Sequence, residues 1–491
     1  MSDAVRQQPA SGDAAHIRTV LRKNWLRLLL ESHTDELERL CIAHPEPSDP
    51  HVLLIRACCR DVVGDAYGAT FLRGQGMRVA ADDFVACFTE LLLAEDAPTK
   101  AAVADRARQA LAQCGPDDDY PSALFLLGWT EVRLRRDPAA AIALLRSAAD
   151  EARLQERPET LRLARSNLAF ALTQAGLFTE AEQVLDALPA MPAPSDWDRF
   201  EGGLPEANRG CIAYWRGDFA GATAHLDPII VDGSAGTNFE ALARLYLGMS
   251  VVALRQQERF DATLHLLAGV STTDKHGVPW DTLRRVAAAW LAHAAGDDDR
   301  ARELAAPALA RAGAPVAHAL LAELYRLLGD RERAARALSL AASTRMPRYA
   351  RVSTLVTSAA LAAVGGHGGQ AHEHLDLALD AAAPERILAP FLTGDAVVAD
   401  LLDAHAHRGS RHRDFLQTVL EQRARLSTHV SGVFTPRERD VLACLRTTMT
   451  GDEISAHLGI AYPTVKTHIR SIYRKLGVTS RRDAVRAADA R

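Results

Sequence analysis

Residues 434–491 read FTPRERDVLACLRTTMTGDEISAHLGIAYPTVKTHIRSIYRKLGVTSRRDAVRAADAR, and this stretch predicts several short helices in close order. Two of its segments carry the capping-box pattern, in which a threonine is followed three residues later by a glutamate: Thr435 with Glu438, and Thr450 with Glu453. Gly459 follows the second predicted helix, and glycine readily adopts the left-handed backbone of a tight turn. A helix, a glycine turn and a second helix form the helix-turn-helix pattern, whose second helix enters the DNA major groove.

The predicted helix after Gly459 has two different faces. Apolar residues recur at helical spacing on one side, which predicts that this side is buried. These residues are Val465, Ile469, Ile472 and Leu476. The residues that then face outward are Lys466, Thr467, Arg470 and Arg474. Lysine and arginine recognise guanine and the threonine methyl group contacts thymine, so this face is a candidate for base recognition. A solvated face without base contacts is the alternative. Ser480 and Asp483 predict the cap of a fourth helix.

This segment resembles the LuxR-type helix-turn-helix family, whose members are usually transcription regulators with this module at the C-terminus. The residues that carry the resemblance are Thr435, Arg437, Glu438, Val441, Leu442, Glu453, Ile454, Leu458, Ile460, Thr464, Val465, Lys466, His468, Ile472, Tyr473, Arg474, Lys475, Leu476, Gly477, Val478, Arg481, Ala484 and Val485. The resemblance implies that Lys466, Thr467 and Arg470 approach base edges. It also implies that Lys475 and its neighbours contact phosphate, and that the fourth helix pairs two subunits. The predicted DNA-binding residues are Thr464, Lys466, Thr467, Arg470, Arg474 and Lys475.

Two positions depart from the family pattern. Ala461 stands where the family usually has a serine that caps the recognition helix, and the loss of such a cap typically costs about 1 kcal/mol. Gly451 and Asp452 replace the usual Asn-Lys, so an anion stands in place of a cation near the expected DNA surface. We therefore expect lower affinity for DNA or a stronger dependence on dimerisation.

The charge of the chain is asymmetric. Residues 431–491 contain 11 lysines and arginines against 6 aspartates and glutamates, so this tail carries +5 while the net charge of the whole chain is −5. The preceding 430 residues therefore carry −10. Phosphates attract clustered cations, which favours nucleic acid as the partner of the tail.

A different pattern recurs in the preceding body, where a helix, a short turn and a second helix opening on a small residue are repeated. The turn segments are RDPAAA ending at Ala141, AGLFTEA at Ala181, RGDFAGA at Ala222, QERFDA at Ala262, AGDDDRA at Ala301, LGDRERA at Ala334 and GGHGGQA at Ala371. Intervals of 33 to 41 residues with two helices per unit are typical of a helical solenoid. The unit that resembles a tetratricopeptide repeat (TPR) most closely contains Leu321, Ala322, Tyr325, Ala334, Leu338 and Ala341. We therefore predict a TPR-like array.

Composition supports an all-α protein of more than one domain. The chain has 491 residues, 48% of them hydrophobic and 5% aromatic, and is rich in Ala, Leu and Arg. The predicted divisions are a disordered lead-in (1–15), a TPR-like sensor or interaction region (16–385), a helical connector (386–430) and the helix-turn-helix module (431–491). No apolar run of 18 residues or secretory signal is present, and the seven scattered cysteines fit reduced thiols, so we expect a cytoplasmic protein without membrane contact.

The sequence shows no catalytic grouping. It lacks the phosphate-binding pattern G-x-x-x-x-G-K-[ST] and the nucleophile pattern G-x-S-x-G, so we expect no enzyme activity and no cofactor. His372 with His374, and His405 with His407, are spaced two residues apart and would diverge on a helix, which disfavours a shared metal ion within either pair. Several aromatics fall on the first helices of the repeats, where they either pack or line a ligand groove. They are Trp129, Tyr214, Trp215, Tyr246, Trp290 and Tyr325.

Body and tail together resemble the C-terminal half of the large ATP-binding LuxR regulators, without the ATPase. The resemblance implies a transcription regulator whose repeats sense a peptide, a protein or a small molecule, and whose paired modules bind double-stranded DNA as a homodimer. The alternative is a TPR-like interaction scaffold whose module binds DNA without sequence preference.

Overall fold

The structure is a computed structural model that describes residues 11–76, 83–94, 96–113, 119–188, 205–231, 233, 235, 238–273, 278–342, 345–431, 436–476, 478 and 480–489. Within these residues the fold is all-α and contains no β-strand, which confirms the predicted fold class. Contacts divide the chain into two compact units, residues 1–212 with 271–280, and residues 213–270 with 281–491.

Among its described residues, the first unit holds ten helices and most of an eleventh, which crosses the unit boundary. The helices are α1 (Ser11–Leu30), α2 (Thr34–Ile42), α3 (Pro50–Val62), α4 (Ala66–Gly76), α5 (Phe84–Leu93), α6 (Ala97–Leu111), α7 (Tyr120–Leu134), α8 (Pro138–Leu154), α9 (Pro158–Ala175), α10 (Phe178–Asp186) and α11 (Pro205–Trp215). Helix α1 begins before residue 16, where the helical region was predicted to start; residues 1–10 of the predicted lead-in lie outside the described residues. Trp25, Phe88, Phe125 and Phe178 are fully buried and form the centres of the packing.

The second unit continues the same construction and ends in four short helices. Its helices are α12 (Phe219–Leu226), α13 (Asn238–Ala253), α14 (Phe260–Ala268), α15 (Trp280–Ala295), α16 (Asp298–Ala310), α17 (Pro315–Leu327), α18 (Arg331–Ala342), α19 (Arg348–Val364), α20 (Gly368–Ala382), α21 (Ala389–Leu392), α22 (Ala396–Arg408), α23 (Arg413–Ser431), α24 (Pro436–Leu445), α25 (Gly451–Leu458), α26 (Tyr462–Leu476) and α27 (Arg481–Asp489). Helix α17 contacts both α18 and α19, so this helical hairpin packs on the next, as in a solenoid.

Left-handed residues close the predicted turns between paired helices. The glycines at these turns have φ between 78° and 89°, a conformation in which a Cβ atom would be strained. They are Gly176, Gly217, Gly296, Gly329 and Gly366. At the other two turns the left-handed residue is an arginine, Arg135 or Arg255, with φ of 54° and 53°. Each of the seven predicted turns therefore joins two consecutive helices.

One turn differs from its predicted register. In six of the seven segments the closing alanine is 0–1% exposed, because it fits where the second helix meets the first. Ala262 of the QERFDA segment is exposed, and the neighbouring Thr263 is buried instead. A short 3₁₀ helix, Gln257–Arg259, precedes α14 and changes the register by one residue. The TPR-like character of the array and the predicted domain limits remain predictions.

No helix in the described part of the chain is both long enough and apolar enough to cross a membrane. Six cysteines there are buried and form no disulfide bond. They are Cys41, Cys58, Cys59, Cys87, Cys211 and Cys444.

Candidate nucleic-acid interface

The four C-terminal helices share one small core. Val441, Ile454, Val465, Ile472 and Ala484 are fully buried in it, and they come from all four helices. The predicted apolar stripe of α26 therefore faces this core. Ile469 is half-buried and packs at its edge. Burial on one side leaves the opposite side of α26 to the solvent.

The predicted recognition face is exposed. Thr464, Lys466, Thr467 and Arg470 are all exposed on α26, with the buried Val465 between them in sequence. The Thr467 hydroxyl donates a hydrogen bond to the carbonyl oxygen of Pro463 at 3.0 Å, which directs its methyl group away from that carbonyl. Cations and methyl groups thus share one outward surface, which suits contacts with phosphates and base edges.

The last two predicted DNA-binding residues also belong to α26. Arg474 and Lys475 lie in its final turns, and their side chains fall outside the described part of the structure. The predicted roles of all six residues in binding DNA remain predictions.

The helix before the turn starts and stops as predicted. Glu453 Oε2 accepts a hydrogen bond from the Thr450 amide at 2.7 Å, and Thr450 Oγ1 accepts one from the Glu453 amide at 3.4 Å, which completes the capping box of α25. Hydrogen bonds donated to the Glu453 carboxyl by the Thr450 amide and by the Thr450 hydroxyl, the latter at 3.0 Å, hold the pKa of that carboxyl below its ordinary value. Gly459 ends α25 with φ of 62°. The predicted cap of α27 is also present, since the Asp483 amide donates to Ser480 Oγ at 3.2 Å.

The first helix of the module is held by a contact that the sequence did not predict. Thr435, the predicted cap of α24, lies outside the described residues. Its predicted partner Glu438 is 1% exposed, and its Oε1 accepts a hydrogen bond from Ser471 Oγ on α26 at 2.6 Å. A buried carboxylate with a specific partner fixes α24 against the back of the recognition helix.

Two arginines satisfy carbonyl oxygens at helix ends. Arg437 donates to the carbonyl oxygen of Leu458 at the end of α25. Arg481 donates to carbonyl oxygens at the end of α24 and in the turn that follows it. Helix C-termini carry unsatisfied carbonyl groups and a partial negative charge, so both arginines stabilise the junctions between helices. Both residues belong to the set that carries the family resemblance, and the structure gives them these contacts.

The departures at residues 451 and 461 lie around Tyr462. A Cβ atom at Gly451 would lie 2.5 Å from Tyr462 Cε2, so glycine leaves the space that this ring occupies. The Tyr462 side chain is 43% exposed at the first turn of α26. Ala461 offers no capping side chain, while its carbonyl oxygen accepts hydrogen bonds from the amides of Thr464 and Val465. The recognition helix thus begins with a tyrosine packed over α25.

The histidine pairs lie on neighbouring helices. His372 Nδ1 on α20 is 3.0 Å from His405 Nδ1 on α22, and His405 Nε2 is 3.1 Å from Asp376 Oδ1. Burial, together with the nearby His405 and Arg408, lowers the pKa of His372. Among the described residues, no group of three His, Cys, Asp or Glu side chains is arranged to hold a metal ion.

Comparison with known proteins supports the assignment of the C-terminal module. Residues 432–488 match the model of the bacterial regulatory proteins of the luxR family. Proteins named HTH-type transcriptional regulator MalT also match parts of the chain. The Vibrio cholerae protein is 29% identical over 162 residues, which are 28% of this chain and 18% of that protein. The Cronobacter sakazakii protein is 32% identical over 93 residues, which are 19% of this chain and 10% of that protein.

A third match, to the MalT protein of Yersinia enterocolitica, is 46% identical over 54 residues, which are 11% of this chain and 6% of that protein. The chain therefore spans less than a fifth of the length of each of these regulators. The predicted resemblance to large LuxR regulators is confirmed for these partial regions. With its four-helix core, its capped turn and its exposed cationic face, the segment 432–488 is a LuxR-type helix-turn-helix domain.

Proposed function

We propose that this chain is a DNA-binding transcriptional regulator that reads the major groove with α26. The observation that carries the proposal is the two-sided character of this helix, which buries Val465 and Ile472 and exposes Lys466, Thr467 and Arg470. Lys466 and Arg470 would donate to the acceptors of guanine, and the Thr467 methyl group would contact thymine. Double-stranded DNA as the partner would favour a cytoplasmic location.

The helices before the module would supply the regulatory input. Their hairpin stacking is typical of interaction and sensing arrays, and we propose that they bind a peptide, a protein or a small molecule. The matched MalT proteins are named as transcriptional regulators, which supports a regulatory rather than an enzymatic role. Paired modules, joined through α27, would occupy two half-sites separated by about 34 Å, which is one turn of the DNA helix.

The proposal is tested by selecting bound sequences from random double-stranded DNA with the full-length protein. The test variant is Lys466→Ala with Arg470→Ala. Its matched control is Lys100→Ala with Arg106→Ala on α6. This control also removes one lysine and one arginine, but from a helix that is distant from the module in sequence. We expect a recovered motif with wild type and control, and its loss with the test variant. Two lost base contacts cost about 1–3 kcal/mol each, or roughly 30-fold or more together.

Other outcomes of the selection would contradict the proposal. Binding that depends on salt but yields no motif would favour the interaction scaffold with sequence-blind DNA binding. A motif that survives in the test variant would move base recognition away from these two residues. Sedimentation equilibrium with and without the selected DNA tests the pairing, and a monomer under both conditions would exclude two half-sites.

A further inference from the structure

A cavity of about 620 Å³ lies within the second unit, among the first helices of the hairpins. Helices α11, α13, α15, α17 and α19 contribute to its wall, and α21 and α23 close it further along the chain. Cavities of this size hold small molecules of drug-like or cofactor-like dimensions.

One side of the cavity is aromatic and fixed in place. Tyr214, Trp215 and Trp290 line it and are each at most 6% exposed. Trp215 stacks on Tyr349 with ring centroids 4.4 Å apart, and its Nε1 donates to the hydroxyl oxygen of Tyr246 at 2.9 Å. These contacts hold the Trp215 ring in a single orientation, so a flat apolar molecule would meet an indole surface that needs little rearrangement.

The other side is polar, and its charges are already compensated. Glu323 accepts hydrogen bonds from Arg326 at 2.7 and 2.8 Å and from Thr357 at 3.0 Å. Asp395 also accepts from Arg326, at 3.0 and 3.2 Å. Arg423 donates to three backbone carbonyl oxygens at 2.6 to 2.8 Å. Each of these charged side chains therefore already has hydrogen-bond partners within the protein.

The formal charges of the lining also cancel. Two arginines, Arg255 and Arg423, and two carboxylates, Glu323 and Asp395, are among the lining residues. A charged ligand would lose its hydration on entering the cavity and would find no unpaired group of opposite charge among the described residues that line it. The desolvation free energy would therefore not be compensated. The lining therefore favours an uncharged molecule with an apolar face and hydrogen-bonding groups.

The cavity wall includes a residue of the DNA-binding module. Leu476, the last residue of α26, lines it together with Leu426 of α23. Leu476 is also part of the module's core, so a molecule in the cavity and the recognition helix share one side chain. A ligand can bind more tightly when Leu476 is in one position than in another. Its binding then shifts the conformational equilibrium of the module by the difference between the two binding free energies.

We propose that this cavity binds an uncharged amphipathic small molecule, and that Leu476 couples its occupancy to the DNA-binding module. The coupling rests on the proposed function, whereas the binding site does not. The ligand class follows from the aromatic side, the compensated polar side and the volume. The coupling follows from the position of Leu476 in both the wall and the core.

Binding is tested with N-phenyl-1-naphthylamine, an uncharged fluorescent dye with two aromatic groups. Titration of the full-length protein should give a saturable, one-to-one rise in fluorescence. Ala294 on α15 lines the cavity, so Ala294→Trp places an indole group in it. Ala295, the next residue of the same helix, is exposed, which makes Ala295→Trp the matched control.

We expect at least tenfold weaker dye binding for Ala294→Trp and an unchanged dissociation constant for Ala295→Trp. If far-ultraviolet circular dichroism shows that Ala294→Trp has not folded, Ala253→Trp from α13 takes its place. Equal affinities for the folded filled variant and the control, or no saturable binding to wild type, would overturn the site.

The coupling is tested with the same dye and the DNA recovered by selection. Thermodynamic linkage requires that DNA change the affinity for the dye by the same factor by which the dye changes the affinity for DNA. We expect this factor to exceed threefold. Identical dye affinities with and without DNA would refute the role of Leu476. Dye binding by a chain that selects no DNA motif would leave the cavity established while the proposed function fails.

Discussion

Replacement of Arg481 by methionine is expected to loosen the first half of the DNA-binding module. The guanidinium group donates to the carbonyl oxygens of Leu445 at 3.0 Å, Met449 at 2.5 Å, Thr447 at 2.8 Å and Cys444 at 3.3 Å. It therefore caps the C-terminus of α24 and fixes the turn before α25. Methionine retains an apolar chain similar to the methylene groups of arginine, but it has none of the hydrogen-bond donors of the guanidinium group.

The expected loss follows from which carbonyl groups can return to water. Thr447 is exposed and Met449 is half-buried, so solvent can replace much of their hydrogen bonding in the variant. Cys444 and Leu445 are 6% and 2% exposed, and their carbonyl groups would lose a charged donor. A hydrogen bond from a charged group contributes about 1.5–3 kcal/mol to stability. Losing the two bonds to Cys444 and Leu445 should therefore lower the local stability by about 2–3 kcal/mol, because water partly replaces them.

Hydrogen exchange in the full-length protein measures this loss locally. Peptides covering residues 441–458 should exchange roughly 30- to 150-fold faster in Arg481→Met, while peptides from α1–α10 remain unchanged. Arg482→Met is the control, since Arg482 is the next residue of α27 and is exposed. Similar exchange in the two variants would refute the assignment of Arg481 as the cap of α24.

Two further predictions concern single carboxylates. Burial raises the pKa of Asp119 to about 7, although the Leu26 and Arg27 amides donate to its carboxyl oxygen. Stability should therefore fall as pH rises toward 7, because the unfolded chain already ionises this group near pH 4. Between pH 5 and pH 8, urea denaturation should show a loss about 2–3 kcal/mol larger in wild type than in Asp119→Asn. An equal pH dependence in both proteins would contradict the raised pKa. Thr450→Ala should accelerate hydrogen exchange in α25 roughly fivefold at pH 7. Hydrogen bonds from Thr450 lower the pKa of Glu453, so the part of the cap that depends on the Glu453 carboxylate should weaken as the pH falls through that lowered pKa, while the bond from the Glu453 amide to Thr450 Oγ1 does not depend on pH. Equal exchange rates in wild type and Thr450→Ala at pH 7 would contradict the capping box.

The sequence predicted the features of the module that depend on local spacing. Helical periodicity placed Val465 and Ile472 on the buried side of α26 and Lys466 and Arg470 on the exposed side, because helical spacing fixes the relative direction of side chains on one helix. The turn at Gly459 was equally local, since its left-handed backbone favours glycine.

Contacts between distant segments could not be predicted in the same way. The hydrogen bond from Ser471 to Glu438 joins residues 33 positions apart, and Arg481 reaches back 36 positions to Leu445. Neither pair has a spacing rule, because each depends on how two helices pack. The misplaced alanine of the QERFDA segment has a related cause, since a 3₁₀ turn changes the register without any glycine to mark it.

Sequence periodicity also could not predict which aromatic residues of the repeats line the cavity. Trp215 and Trp290 line it, whereas Tyr325 is fully buried in helix packing, and all three were predicted to lie on first helices. Periodicity assigned them to the same kind of position. Whether such a side chain packs or lines a space depends on the volume of its neighbours on other helices, which is set by the tertiary structure.

The cationic side chains of residues 431–491 include two groups with different contacts: some hydrogen-bond inside the module and others are exposed on α26. The chain has 52 arginines and only five lysines, and a guanidinium group can satisfy several carbonyl oxygens at once, which an ammonium group does less well. Arg437 and Arg481 hydrogen-bond to carbonyl oxygens inside the module, so their charges add to the field that attracts DNA without requiring a phosphate contact. Lys466 and Arg470 are exposed on α26 and can contact DNA directly. The salt dependence of binding should therefore report fewer phosphate contacts than the 11 cations of residues 431–491, since its slope follows the phosphates neutralised and not the net charge.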